Sequence, residues 1–121
     1  MLTITLYRPV GQRELDLIAA SGYKAFPPRL PDQPIFYPVI TLEYAEQIAR
    51  DWNTRDERSG HAGYVVEFVV DAGYLEQFEI RKVGGSAHLE YWIPAGALDE
   101  FNRHIQGEIR VIRRFMYNSR P

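Results

Sequence analysis

Residues 88 to 93 read HLEYWI. Strand alternation sends Leu89, Tyr91 and Ile93 to one face and His88, Glu90 and Trp92 to the other. A carboxylate beside a tryptophan is costly if buried, so Glu90 needs either a partner or a task. On a polar and aromatic face it can accept a hydrogen bond from a sugar hydroxyl and stabilise positive charge developing at an anomeric carbon. From spacing alone the stronger alternative is an ion pair with an arginine of a neighbouring strand.

Other side chains with chemical potential are dispersed. Arg8 falls at the end of the first strand, on its apolar side, where it can pair with Glu67 or Glu90. Tyr37 ends an aromatic pair and is either a packing ring or a surface for a planar ligand. Thr41 is the nearest hydroxyl after it. Ser86 and His88 lack a third orienting group, which argues against a nucleophilic triad. Gly84 and Gly85 read as a turn and not as a phosphate cradle, because no strand-loop-helix context surrounds them. The three histidines have no ligand spacing and there is no cysteine, so no metal site is expected.

The elements that must position these groups follow from periodicity. LTITLYR alternates as a half-buried strand, with Leu2, Ile4 and Leu6 on one face. RELDLIAAS repeats at helical spacing up to Gly22. FPPRLPDQPIFYP carries five prolines in thirteen residues, which excludes a helix interior and predicts an ordered loop bordering the site. Thr41 is the expected N-cap of LEYAEQIARDW, whose Leu42, Ala45, Ile48, Ala49 and Trp52 form a stripe for the core. YVVEFVV, apolar at nearly every residue, reads as a central strand. AGYLEQF supplies one helical turn and FEIRKV an extended piece. After LEYWI come a short helix, ALDEFNRHI, with Leu98, Phe101 and Ile105 on one side, and a last strand, EIRVIRRFMY. The order is that of an α+β domain without internal repeats.

Length and composition set the frame. A chain of 121 residues suits a single domain spanning 1–121. With 45% hydrophobic and 25% charged residues it resembles an ordinary soluble protein. No apolar run reaches membrane-spanning length and no signal-peptide pattern is visible, so a cytoplasmic protein without membrane association is expected. The net charge of −2 gives no general argument for nucleic acid. The basic RVIRRF segment reads as a charged edge strand.

Taken together, Tyr7-Arg8, Phe36-Tyr37 before the helix, the YVVEFVV strand, and a Gly-Gly turn followed by Glu90 and IPAGALDEFN resemble the bacterial ADP-ribosyltransferase-like domains. The resemblance covers roughly residues 4 to 115. It implies a twisted, split β-sandwich-like core with short flanking helices and a cleft that takes NAD as substrate. It assigns the catalytic role to Glu90, on the ribose 2′-hydroxyl, and NAD contacts to Arg8, to Tyr37 or Thr41, and to His88, which stands where arginine-modifying members carry Glu or Gln. The implied reaction is loss of nicotinamide followed by transfer of ADP-ribose to an acceptor, or hydrolysis of NAD. The alternative is a non-catalytic interaction module of the immunity, antitoxin or accessory kind, with a protein partner. On the catalytic reading Arg8 and Glu90 are expected on neighbouring strands facing one cleft.

Overall fold

The computed structural model describes residues 2–84 and 88–117. The chain starts with strand β1 (Thr3–Val10), whose Leu6 and Val10 are fully buried, and passes at Gly11 into helix α1 (Gln12–Ala20). The short strand β2 (Ile35–Phe36) emerges from the proline-rich segment. Helix α2 (Leu42–Asp51) is capped by Thr41, whose side chain accepts from the Tyr44 N–H. Strand β3 (Ala62–Asp71), the valine-rich run, is buried from Ala62 to Val66 and again at Phe68 and Val70. A single turn, α3 (Ala72–Leu75), leads to the exposed strand β4 (Glu79–Lys82). Strand β5 (Leu89–Pro94), helix α4 (Leu98–Arg103) and the long strand β6 (Ile105–Met116) complete an α+β fold.

The strands form two small antiparallel sheets, ordered β1-β3-β6 and β2-β5-β4. Val39 joins them, because it bridges Tyr7 on one side and Glu90 on the other. Val39 and Tyr7 exchange both backbone hydrogen bonds, at 2.8 and 2.9 Å. On the β5 side one bond is missing for a chemical reason. In this register Pro38 and Tyr91 would exchange two bonds; the Tyr91 N–H donates to Pro38 O at 2.9 Å, but proline has no N–H to return. The segment expected to be a loop therefore contributes strand pairing at its end.

Alternation divides the side chains between two faces. Leu6, Val10, Val66, Phe68, Phe36, Tyr91 and Ile93 belong to the main core, closed by Ile18 of α1, Phe26, Leu75, Leu98 and Phe101. The other face carries Val39 and Val65, covered by Ala45 and Ala49 of α2. Gly63 permits this close crossing: a Cβ there would fall 2.0 Å from the Ala49 carbonyl oxygen.

Two packing expectations differ from the fold. Trp52 does not extend the buried stripe of α2 but is 74% exposed. The helix ends at Asp51 and the chain tightens into a 3-10 turn, Asn53–Arg55, so Thr54 takes the buried position and its hydroxyl donates to Arg50 O at 2.5 Å. Ile105 leaves the last helix, which stops at Arg103, and starts β6 while still packing on the main core.

Candidate functional site

One transverse row defines the candidate site. The successive register pairs are Arg110 with Glu67, Glu67 with Tyr7, Tyr7 with Val39, Val39 with Glu90, and Glu90 with Arg81. Directly opposed residues of antiparallel strands point to the same face, so the row runs across both sheets on the α2 side. At one end Arg110 pairs with Glu67. At the other end Glu90 and Arg81 do not pair.

Glu90 is only 8% exposed, and among the described residues it forms no ion pair. Its Oε1 accepts from the Trp92 indole N–H at 3.0 Å. Tyr44, on α2, interacts with the same carboxylate. Burial first, then the charge of Glu90 and hydrogen bonding with it, push the Tyr44 phenol above its ordinary range. Among the described residues the ion pair that spacing alone favours is thus not formed, and the carboxylate accepts instead from the neutral Trp92 N–H.

Arg81, directly across from Glu90, is committed elsewhere. Its guanidinium lies over the Trp92 ring, 3.8 Å from the centroid, and Nη2 is 3.0 Å from Glu79 Oε2. Trp92 also meets Tyr37 edge to face, with centroids 5.4 Å apart. His88 stacks on Tyr44 at 4.4 Å and 15°. The Thr41 hydroxyl accepts from the Tyr44 backbone N–H at 3.4 Å, which fixes the start of the helix that presents Tyr44. Beside Tyr44 a surface groove of about 330 Å³ is lined by Gln47, Ile48, Asp51 and Trp52.

Of the residues singled out in the sequence, the structure gathers Glu90, Tyr37, His88 and Thr41 on this side. It does not bring Arg8 to them. Arg8 follows Tyr7 and therefore points to the opposite face, among the main-core residues, where its guanidinium lies 4.6 Å from the Phe36 ring centroid. Its Nε is 2.6 Å from Glu14 Oε2 and its Nη2 is 3.1 Å from Glu14 Oε1, a bidentate pair. Arg29 stands nearby and donates to Ile35 O at 3.1 Å. Burial first, and then Arg8, lower the Arg29 pKa. The expectation that Arg8 and Glu90 face one cleft fails on register: Arg8 sits one residue beyond the row that Glu90 occupies.

Tyr44 and Arg81 were not legible as site residues. Tyr44 reads as one aromatic on a helix whose face toward β5 is set only by tertiary packing. Arg81 was hidden by register: counting outward from the sequence Gly84-Gly85-Ser86 would set 81 against 89, whereas the strands pair 82 with 89 and 81 with 90.

Among the described residues no group of three or more His, Asp or Glu side chains is placed to hold a metal ion, and no helix is long and apolar enough to cross a membrane. No protein-family model, curated protein or solved structure matches the chain.

Proposed function

We propose that the protein is an NAD-binding, ADP-ribosyltransferase-like domain whose reacting ribose is held at Glu90. The observation that carries this reading is a nearly buried carboxylate that accepts from the Trp92 N–H and has no ion pair among the described residues, beside the aromatic side chains of Tyr37, Tyr44, His88 and Trp92. The two small sheets meeting at Val39 suit the split core that the resemblance implies.

In the proposed reaction the bond between ribose C1′ and the nicotinamide nitrogen breaks, and its electron pair leaves with nicotinamide. Glu90 accepts a hydrogen bond from the 2′-hydroxyl and stabilises the oxocarbenium-like centre. An acceptor, or water, then bonds to C1′ and gives up its proton to solvent. Tyr37 provides the ring against which a planar base packs. Arg8 in this reading anchors α1 to β1 through Glu14 and supports the junction from beneath.

That commitment of Arg8 to Glu14 favours a second reading, in which the same face holds a ligand or a protein partner without turnover. Calorimetry with NAD and ADP-ribose, paired with an assay of nicotinamide release, separates the two. Binding with release supports the transferase or hydrolase reading. Binding without release supports the module, and no binding of either ligand removes the NAD reading.

A further inference from the structure

We propose that Arg81, and not Arg8, is the cation that binds the diphosphate of the ligand at the Glu90 site; this rests on the NAD-site reading. NAD carries two negative charges between its riboses, and a site presenting only Glu90 to it would repel them. Arg8 sits on the other face and its fork is taken by Glu14. Arg81 is directly across from Glu90 in the β4–β5 pair.

An arginine facing a glutamate across a strand pair ordinarily forms an ion pair. Here the Arg81 guanidinium instead lies over the Trp92 ring, whose indole N–H donates to Glu90. The tryptophan thus separates the cation from the carboxylate and orients both. A ribose at Glu90 and a phosphate at Arg81 would be spaced by the indole between them. The Arg81 side chain is 46% exposed, and a guanidinium over a ring face can offer its edge N–H groups to phosphate oxygens once Nη2 is released from Glu79. Its partner Glu79 is 60% exposed, so the existing pair is a weak competitor for a diphosphate.

The test is calorimetry with NAD, with ADP, and with nicotinamide riboside, which lacks the diphosphate. Arg81→Met keeps an apolar stem on Trp92 and removes the charge. It is expected to weaken NAD and ADP by about 10- to 100-fold, the range of hydrogen bonds to a charged group. Arg81→Lys, charged but without the planar fork, should fall between. The salt dependence of ADP binding should flatten in Arg81→Met. Unchanged ADP affinity, or an equal loss for nicotinamide riboside, overturns the assignment. If the wild-type protein binds ADP but not NAD, the NAD reading fails while the effect of Arg81→Met on ADP still decides this inference. If the wild type binds neither ADP nor NAD, both are overturned.

Discussion

Arg8 lies one residue from the row that carries Glu90, yet its side chain points to the opposite face and pairs with Glu14. The consequence is a division of labour. Arg8 is a framework group, 10% exposed at its side chain, held between a carboxylate and the Phe36 ring. Glu90 is left to the α2 face, with no ion pair among the described residues.

Substitution at Arg8 should therefore act on stability. Arg8→Met leaves the Glu14 carboxylate unpaired, and breaking a well-buried pair on one side costs about 3–5 kcal/mol. Glu14 is 23% exposed and can recover water, so a loss near about 3 kcal/mol is expected. A urea titration of Arg8→Met, Glu14→Gln and the double variant measures it. Additive losses would show that the pair carries no coupling energy.

Gly63 offers a test of how the site's helix is seated. An added methyl group would sit 2.0 Å from the Ala49 oxygen and 2.7 Å from its carbonyl carbon, and helix backbone cannot yield as a flexible side chain can. Gly63→Ala should cost about 3 kcal/mol or more and loosen α2 from β3. A urea midpoint within error of wild type would contradict the packing described for this face.

Much of the fold was legible because hydrophobic period and turn residues act locally. The alternation of Thr3 to Tyr7, the Thr41 cap, and the burial of YVVEFVV each needed only a short window of sequence, although Leu2, expected on the apolar face, lies before β1 and is exposed. The division of residues 88 to 93 between two faces was legible for the same reason. What failed depended on register over long range. Whether Arg8 shares a face with Glu90 is decided by Val39 pairing with Tyr7 and not with Arg8, and a slip of one residue reverses the answer. Trp52 failed more locally, because the turn after Asp51 broke the helical phase that its spacing had suggested.

The tyrosines predict alkaline behaviour. Tyr44, Tyr74 and Tyr91 all have raised pKa values, each chiefly through burial, and Tyr74, also facing Glu100, is pushed up to about 12. A phenol whose pKa is raised on folding stabilises the fold fully below the unfolded value near 10, and that contribution is lost as pH rises toward 12. For Tyr74 the loss is on the order of 2 kcal/mol. Urea midpoints should be flat with respect to these groups up to about pH 9 and fall between about 10 and 12. Tyr74→Phe should make that fall shallower, and an unchanged pH profile in the variant would remove Tyr74 as its source. The Arg103 charge works in the opposite direction, so its removal should raise the Tyr74 pKa further.

Glu90→Gln asks whether this nearly buried carboxylate is there for chemistry. The variant preserves shape and one acceptor oxygen for the Trp92 N–H, and it strands no arginine, because Glu90 has no ion-pair partner among the described residues. Stability should change by about 1 kcal/mol, the scale of one altered hydrogen bond. If Glu90 stabilises a developing oxocarbenium centre, nicotinamide release should fall by about 10²- to 10³-fold with little change in NAD affinity. Tyr44→Phe is the companion variant: it removes a hydroxyl that interacts with the carboxylate but keeps the carboxylate itself, so its rate loss should be smaller than that of Glu90→Gln. A folded Glu90→Gln protein that releases nicotinamide at the wild-type rate would end the catalytic assignment. A fall in stability of several kcal/mol, with release falling only in step with the folded fraction, would return Glu90 to the framework alongside Arg8.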